Sequence, residues 1–194
     1  MEIGVFYTSP KLGDIILQLP FVKAIAKHYN VNVTLCINKN INIGKILQKQ
    51  SYINSIIENP FRKGRFFLSD VFNLSKKLNE KNIDCAFILD KTKGPAIACN
   101  LARVKKIYGF GIGSQKYFVE KFPTLNRNDL RYNYTKQSIK FLHKLNIFCD
   151  FNESFLVLDQ EENKNLLKEY EGLPKPWVCF AVDSTEVNRV WPQR

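Results

Sequence analysis

The chain has 194 residues, enough for one well-buried domain and the start of another. With 45% hydrophobic and 24% charged residues it has the composition of a soluble globular protein, and no apolar run reaches the ~20 residues of a membrane span. Its formal net charge of +11 is the one unusual bulk property: the surface attracts anions, which brings nucleic acid, anionic lipid and phosphorylated substrates into consideration.

Read in chain order, the pattern alternates strand and helix. Ile3 to Tyr7 is an apolar strand, Thr8 to Gly13 a tight loop, and Asp14 opens a helix with Ile15, Ile16, Leu19, Val22, Ile25 and Ala26 at helical spacing. Gly13 is expected to let the backbone turn, and Asp14 to sit at the N-cap. Val31–Ile37 reads as a β-branched strand, 41–50 as a short helix and Tyr52–Ile57 as a strand ending before Asn59-Pro60. A basic loop follows. A helix is then capped at Ser69 or Asp70 and carries Val71, Leu74 and Leu78. Ile83–Leu89 is an apolar run of buried-strand type, Pro95–Arg103 a small-residue helix and Lys105–Phe110 a short strand. Gly111–Arg131 is a long connection of the kind that often carries function. Tyr132–Leu145 reads as an amphipathic helix, Phe155–Leu158 as a short strand and 159–171 as a polar helix. After the Gly172–Pro176 break, Trp177–Val182 is a new strand. The alternation implies a Rossmann-like, doubly wound parallel α/β sheet. The break implies a domain over 1–171 and a second over 172–194 that is expected to be only begun.

The five cysteines, Cys36, Cys85, Cys99, Cys149 and Cys179, are odd in number, scattered and without a Cys-x-x-Cys pair, so they read as reduced thiols. His28 and His143 lack ligand-spaced partners, and no metal site is expected. Basic and aromatic residues mix at 61–67 and at Lys116-Tyr117-Phe118, but no nucleic-acid motif accompanies them, so nucleic acid is not expected as a partner. The cytoplasm is the expected compartment. The glycines of Gly109-Phe110-Gly111-Ile112-Gly113-Ser114 lack phosphate-binding spacing and read as a flexible loop of weak ligand potential.

A lone strand–Gly–Asp–helix is more often a capped helix than a site. Here the opening Thr8-Ser9-Pro10-Lys11-Leu12-Gly13-Asp14, with Leu19-Pro20 following, resembles the start of the bacterial lipopolysaccharide heptosyltransferases, glycosyltransferase family 9. Pro20 is odd inside a helix and sharpens the match. The resemblance continues in order through Ile83-Asp84 and the strand after it, Pro95–Arg103, Val104–Phe110, and Ser184-Thr185 followed by Arg189-Val190-Trp191-Pro192. It covers the whole chain but the family's first half. It implies a GT-B fold with an N-terminal acceptor-binding domain and a C-terminal domain that is mostly missing here.

The resemblance further implies an inverting glycosyltransferase that moves heptose from ADP-heptose to the lipopolysaccharide inner core. No cofactor or metal is expected, with ADP-heptose as co-substrate. Asp14 is then the general base. Ser184, Thr185 and Arg189 face the donor phosphates, with Arg189 standing where the family has a Lys. Lys11, Gly13 and Lys116 lie on the acceptor side. The partners implied are a nucleotide-sugar donor and a phosphorylated lipid A–Kdo acceptor, with the enzyme peripheral at the cytoplasmic face of the inner membrane. Asp90-Lys91-Thr92-Lys93 departs from the Gln-Gly pair of many relatives. The supplied half alone is expected to be inactive. The other reading of the same residues is a non-catalytic basic module that binds anionic lipid or lipopolysaccharide at a membrane surface.

Overall fold

A computed structural model describes residues 1–39, 43–60, 68–151, 156–157 and 160–174. The chain divides into two compact units, Met1–Val157 and Leu158–Arg194. In the first, five strands form one parallel sheet: β1 (Ile3–Tyr7), β2 (Val33–Asn38), β3 (Ile53–Asn59), β4 (Cys85–Ile88) and β5 (Lys106–Gly109). Their order is β3-β2-β1-β4-β5. The chain thus winds outward from β1 in one direction, returns, and winds outward in the other, leaving a switch point between β1 and β4. In such sheets ligands bind outside the carboxyl ends of the strands, at that switch point.

Both faces of the sheet are covered, which is why its strands read as continuous apolar runs. The alternation of the strand sorts the side chains between the two layers. Ile3, Val5, Tyr7, Leu35, Ile37, Phe87 and Leu89 point to one face. There they pack with α1 (Leu12–Ile16), α2 (Leu19–Tyr29) and α6 (Tyr134–His143). Phe6, Cys36, Ala86 and Ile88 point to the other, against α4 (Leu68–Glu80) and α5 (Lys93–Leu101). A short α3 (Gly44–Gln48) precedes β3. Cys36, Cys85 and Cys99 are buried, unbridged thiols within these layers; Cys149 is partly buried and also free. Cys179 lies outside the described residues.

The helix expected from Asp14 to Tyr29 is two helices. Pro20 has no N–H to give to a carbonyl one turn back, so it cannot continue a helix. It stands instead in the first turn of α2, where its fixed φ is suited and no donor is needed. Gln18 is the N-cap of that second helix, and α2 ends at Asn30 in the left-handed conformation (φ 52°). The oddity of Pro20 is therefore the start of a new helix, with the break at Leu17-Gln18.

The long 111–131 connection is structured by 3-10 turns at Gly113–Tyr117 and Asp129–Arg131. It also covers the free edge of β5, with the Glu120 N–H donating to the Ile107 carbonyl (2.8 Å). Asp129, which is buried, pins its far end to α6. The carboxylate accepts from the Asn126 N–H (2.9 Å) and pairs with Lys140 (3.0 Å), while Lys144 donates to the Thr124 carbonyl (2.6 Å). Of the expected strand at Phe155–Leu158, only Leu156 and Val157 fall among the described residues. They are not in a strand, and Val157 is tied by its backbone to both ends of the Gln50 amide. In the second unit the described part is α7 (Gln160–Glu169) and the turn that follows it. The expected strand Trp177–Val182 lies outside the described residues.

Candidate active site at the carboxyl edge of the sheet

The loop leaving β1 carries Thr8, Ser9 and Lys11 into α1. Asp14 is the third residue of that helix, in its first turn rather than at its cap; Lys11 holds the cap position. The Asp14 carboxylate is half-buried, and the Ser9 hydroxyl donates to its Oδ2 at 2.6 Å, a length typical of a charge-assisted bond. The Ser9 oxygen in turn accepts from the Lys11 N–H (3.3 Å). Gly13 does not turn the chain as expected. It is an ordinary helical residue, and a Cβ there would meet open space.

A second carboxylate sits one strand away. Asp90, after β4, is buried. Its Oδ2 accepts from the Thr8 N–H (2.9 Å) and its Oδ1 from the Thr92 N–H (2.7 Å). The Thr8 and Thr92 hydroxyls also bond each other (2.9 Å). Burial raises the Asp90 pKa from its ordinary value, and the bonds from Thr92 and Thr8 oppose that rise. Asp90 thus clasps the β1 loop to the β4 loop across the switch point.

The β5 loop joins the same clasp. Gln115, fully buried, donates to the Asp90 carbonyl (2.9 Å) and the Thr92 carbonyl (3.0 Å), and its Oε1 accepts from the Gly111 N–H (2.8 Å). The glycine loop read as flexible is held by this amide. Gly111 has φ +69°, and a Cβ there would lie 2.5 Å from Thr124, so glycine is required on both counts.

Beneath Asp14 lies Tyr7, the last residue of β1 and almost fully buried. Burial, then the charges of Asp14 and Asp90 and the neighbouring Tyr134, push its phenol far above its usual range; a bond to Gln18 works the other way. Gln18 is buried and accepts from the Ser138 hydroxyl on α6 (3.2 Å). The group formed at the β1/β4 switch point is therefore Ser9, Asp14, Asp90 and Tyr7, with Gln18 and Tyr134 on its α6 side. Lys11, Lys91, Lys93 and Lys116 stand exposed on the three loops of the same edge, Lys116 with its ammonium 5.0 Å from the Tyr117 ring. Ser184, Thr185 and Arg189 lie outside the described residues.

The sequence pointed to Asp14, Lys11, Gly13 and Lys116. It did not point to Tyr7, Gln18, Gln115 or Tyr134, and it registered Asp90 only as a departure from a pattern. The usable signal was the polar Gln18 and Gln115 within otherwise apolar or loop stretches. Among the described residues, no group of three or more His, Cys, Asp or Glu side chains is placed to hold a metal ion, and no helix is long and apolar enough to cross a membrane.

No protein-family model and no curated protein matches the chain. Solved structures do. A glycosyl transferase family 9 protein from Veillonella parvula DSM 2008 superimposes with a TM-score of 0.72 at 19% identity, over 98% of this chain and 56% of that one. The fold is that of the family 9 glycosyltransferases. The E. coli ADP-heptose lps heptosyltransferase II gives 0.62 at 15% identity, over 88% of this chain and 50% of its own length. The E. coli heptosyltransferase WaaC with ADP gives 0.56 at 13%, over 79% and 50%. The chain thus spans about half the length of these structures, and the resemblance seen in its opening motif extends to its architecture.

Proposed function

We propose that this chain is the acceptor-binding part of an inverting glycosyltransferase of the heptosyltransferase type, with Asp14 as general base. The observation that carries the reading is the placement of Asp14. It is a half-buried carboxylate in the first turn of the helix that follows β1, with one oxygen held by Ser9.

The chemistry follows from that position. An acceptor hydroxyl within hydrogen-bond reach gives its proton to Asp14 as its oxygen attacks the anomeric carbon of the donor sugar. The carbon–oxygen bond to the diphosphate breaks on the opposite face, and the diphosphate leaves with the electron pair, so the configuration inverts. On this reading the donor is ADP-heptose, Ser184, Thr185 and Arg189 attend its phosphates, and no metal is needed. The charge left on the diphosphate is balanced by fixed cations. Lys11 and Lys116, on the basic rim, attract the phosphorylated Kdo–lipid A acceptor at the cytoplasmic face of the inner membrane.

Transfer from ADP-heptose to a Kdo-bearing lipid A acceptor tests the reading, for this chain and for the chain joined to a family 9 C-terminal domain. Asp14→Asn should lower the rate of the active form by about 10²–10⁴-fold. A rate within a few-fold of wild type would remove Asp14 from the role of base. The alternative, a non-catalytic module for anionic lipid, draws on the net charge of +11. It predicts vesicle binding that falls steeply with salt and is indifferent to Asp14→Asn.

A further inference from the structure

The two edges of the sheet are finished differently. At β5 the 111–131 segment covers the edge, with the Glu120 N–H on the Ile107 carbonyl. At the other side β3 is the last strand, and its register on β2 fixes which of its backbone groups point outward. The Lys39 N–H donates to the Asn59 carbonyl (3.1 Å), so Asn59 and, by alternation, Ile57 turn their backbone groups toward β2. Ile56 and Glu58 therefore turn theirs away from the sheet. Among the described residues, the Lys77 ammonium on α4 donates to the Glu58 carbonyl (2.5 Å), and the Glu58 N–H and both backbone groups of Ile56 meet no partner.

The packing of α4 brings the lysine there. Val71, Leu74 and Leu78 sit in the same apolar layer as Ile57 of β3. Lys77 stands beside Leu78 on the flank of that stripe, and its long stem carries the charge out to the strand edge. A groove of about 420 Å³ runs alongside, lined by Ile56 and Glu58 of β3, Gln48 of α3, and Lys77, Glu80 and Lys81. A strand edge with open N–H and C=O groups is a template for another strand, and a lysine on the edge is a common way to blunt it.

We propose that the β3 edge is an interaction surface for a second copy of this chain, and that Lys77 is the guard that keeps it closed. The inference is independent of the role of Asp14. An antiparallel copy centred on Ile56 exchanges its Ile56 N–H and C=O with those of the first, a self-complementary contact. Extending that ladder requires the Glu58 carbonyl, which the ammonium occupies. A bond from a charged donor is stronger than one from a backbone N–H, so the incoming strand loses by displacing it. Charge selects the occupant. With Lys77 in place the groove holds two carboxylates and two ammonium groups; without its charge the carboxylates of Glu58 and Glu80 outnumber Lys81, and they attract a copy whose net charge is +11. The β5 edge is covered, so the association closes at a dimer.

Sedimentation velocity across a concentration series tests this. Lys77→Met keeps the stem and removes the ammonium, and it should dimerise at concentrations at least about tenfold below any at which wild type does. Lys77→Arg keeps a cation and should behave as wild type. Hydrogen exchange should show the Ile56 and Glu58 amides protected in the Lys77→Met dimer and open in wild type. Adding Ile56→Pro removes an outward N–H at an edge position that accepts proline, and should return Lys77→Met to the monomer. Melting of Lys77→Met near that of wild type supports pairing between folded chains. If Lys77→Met stays as monomeric as wild type, or if wild type dimerises as readily, the guard is overturned. A Lys77→Met dimer whose Ile56 and Glu58 amides exchange freely places the interface elsewhere and overturns the edge. Open-ended aggregates in place of a dimer overturn it as well.

Discussion

Two loops of this sheet end in the same way, a strand followed by a short turn and an aspartate beside a helix, and the two aspartates have opposite fates. Asp14, after β1, is half-buried, with Ser9 on one oxygen. Asp90, after β4, is buried, with a backbone N–H on each oxygen. A carboxylate with both oxygens occupied by its own protein holds loops together. One with an open side can accept a proton from something outside. The difference lies in the neighbours of Asp90: Thr8, 82 residues away in the chain, and Thr92, two residues on, each give an N–H to one of its oxygens, and on the proposed reading this leaves chemistry to one aspartate and architecture to the other.

Substituting the two residues in parallel would break or sharpen this contrast. Asp14→Asn should leave melting nearly unchanged and remove transfer by the factor given above. Asp90→Ala should do the reverse at the level of folding. It leaves the part-buried Thr8 and Thr92 N–H groups without acceptors, at a cost of about 2 kcal/mol, read by denaturant unfolding. Equal loss of stability in both variants would mean that Asp14 too is a structural clasp.

Gly111→Ala comes next in size. It forces a side chain into Thr124 at a positive φ and pulls on the Gln115 bond that ties the β5 loop to Asp90. The expected cost is about 2 kcal/mol, with faster amide exchange at Gly111 and Thr92 as the local sign. Exchange unchanged from wild type would show that the β5 loop is not part of the clasp.

The pH dependence of stability offers a subtler division, this time between Asp90 and Asp129. The Asp90 pKa is raised by burial, so the folded state holds that proton more tightly than the unfolded chain. Its contribution is fully present below the unfolded value of about 3.9 and is lost as pH rises through the folded value. Asp129 is the opposite case. The Asn126 backbone bond, and then Lys140, lower its pKa, so its contribution is present above the unfolded value and is lost as pH falls through the folded one. Thermal melts across this acid range should therefore fall less steeply in Asp129→Asn than in wild type. They should fall more steeply in Asp90→Asn. The same slope in both variants would contradict the assignment.

Gly13→Ala should have the smallest effect on folding, a gain of up to about 1 kcal/mol, because the residue is helical and a Cβ meets open space. If the acceptor sits against Gly13, as the proposed reading has it, acceptor binding should weaken in the same variant. A gain in stability with unchanged binding would place the acceptor elsewhere.

The amino-acid sequence by itself determined the layered α/β architecture and singled out Asp14 as the candidate base. Runs such as Val33–Asn38 and Cys85–Ile88 are legible because a parallel strand covered on both faces must be apolar throughout, and the helices between them announce themselves by period. Asp14 was legible because strand, loop, carboxylate and Leu-Pro are contiguous. The element ends moved by one to three residues, because capping and fraying are decided locally by bonds the pattern does not contain. What only the tertiary structure decided was which polar residues meet. Thr8 reaches Asp90 across 82 residues of chain and Ser138 reaches Gln18 across 120. Periodicity carries no information about such pairs, because they are set by strand order and by the helix break at Leu17-Gln18. Among the described residues, the same packing gave Asp14 a bond on one oxygen and Asp90 a bond on each.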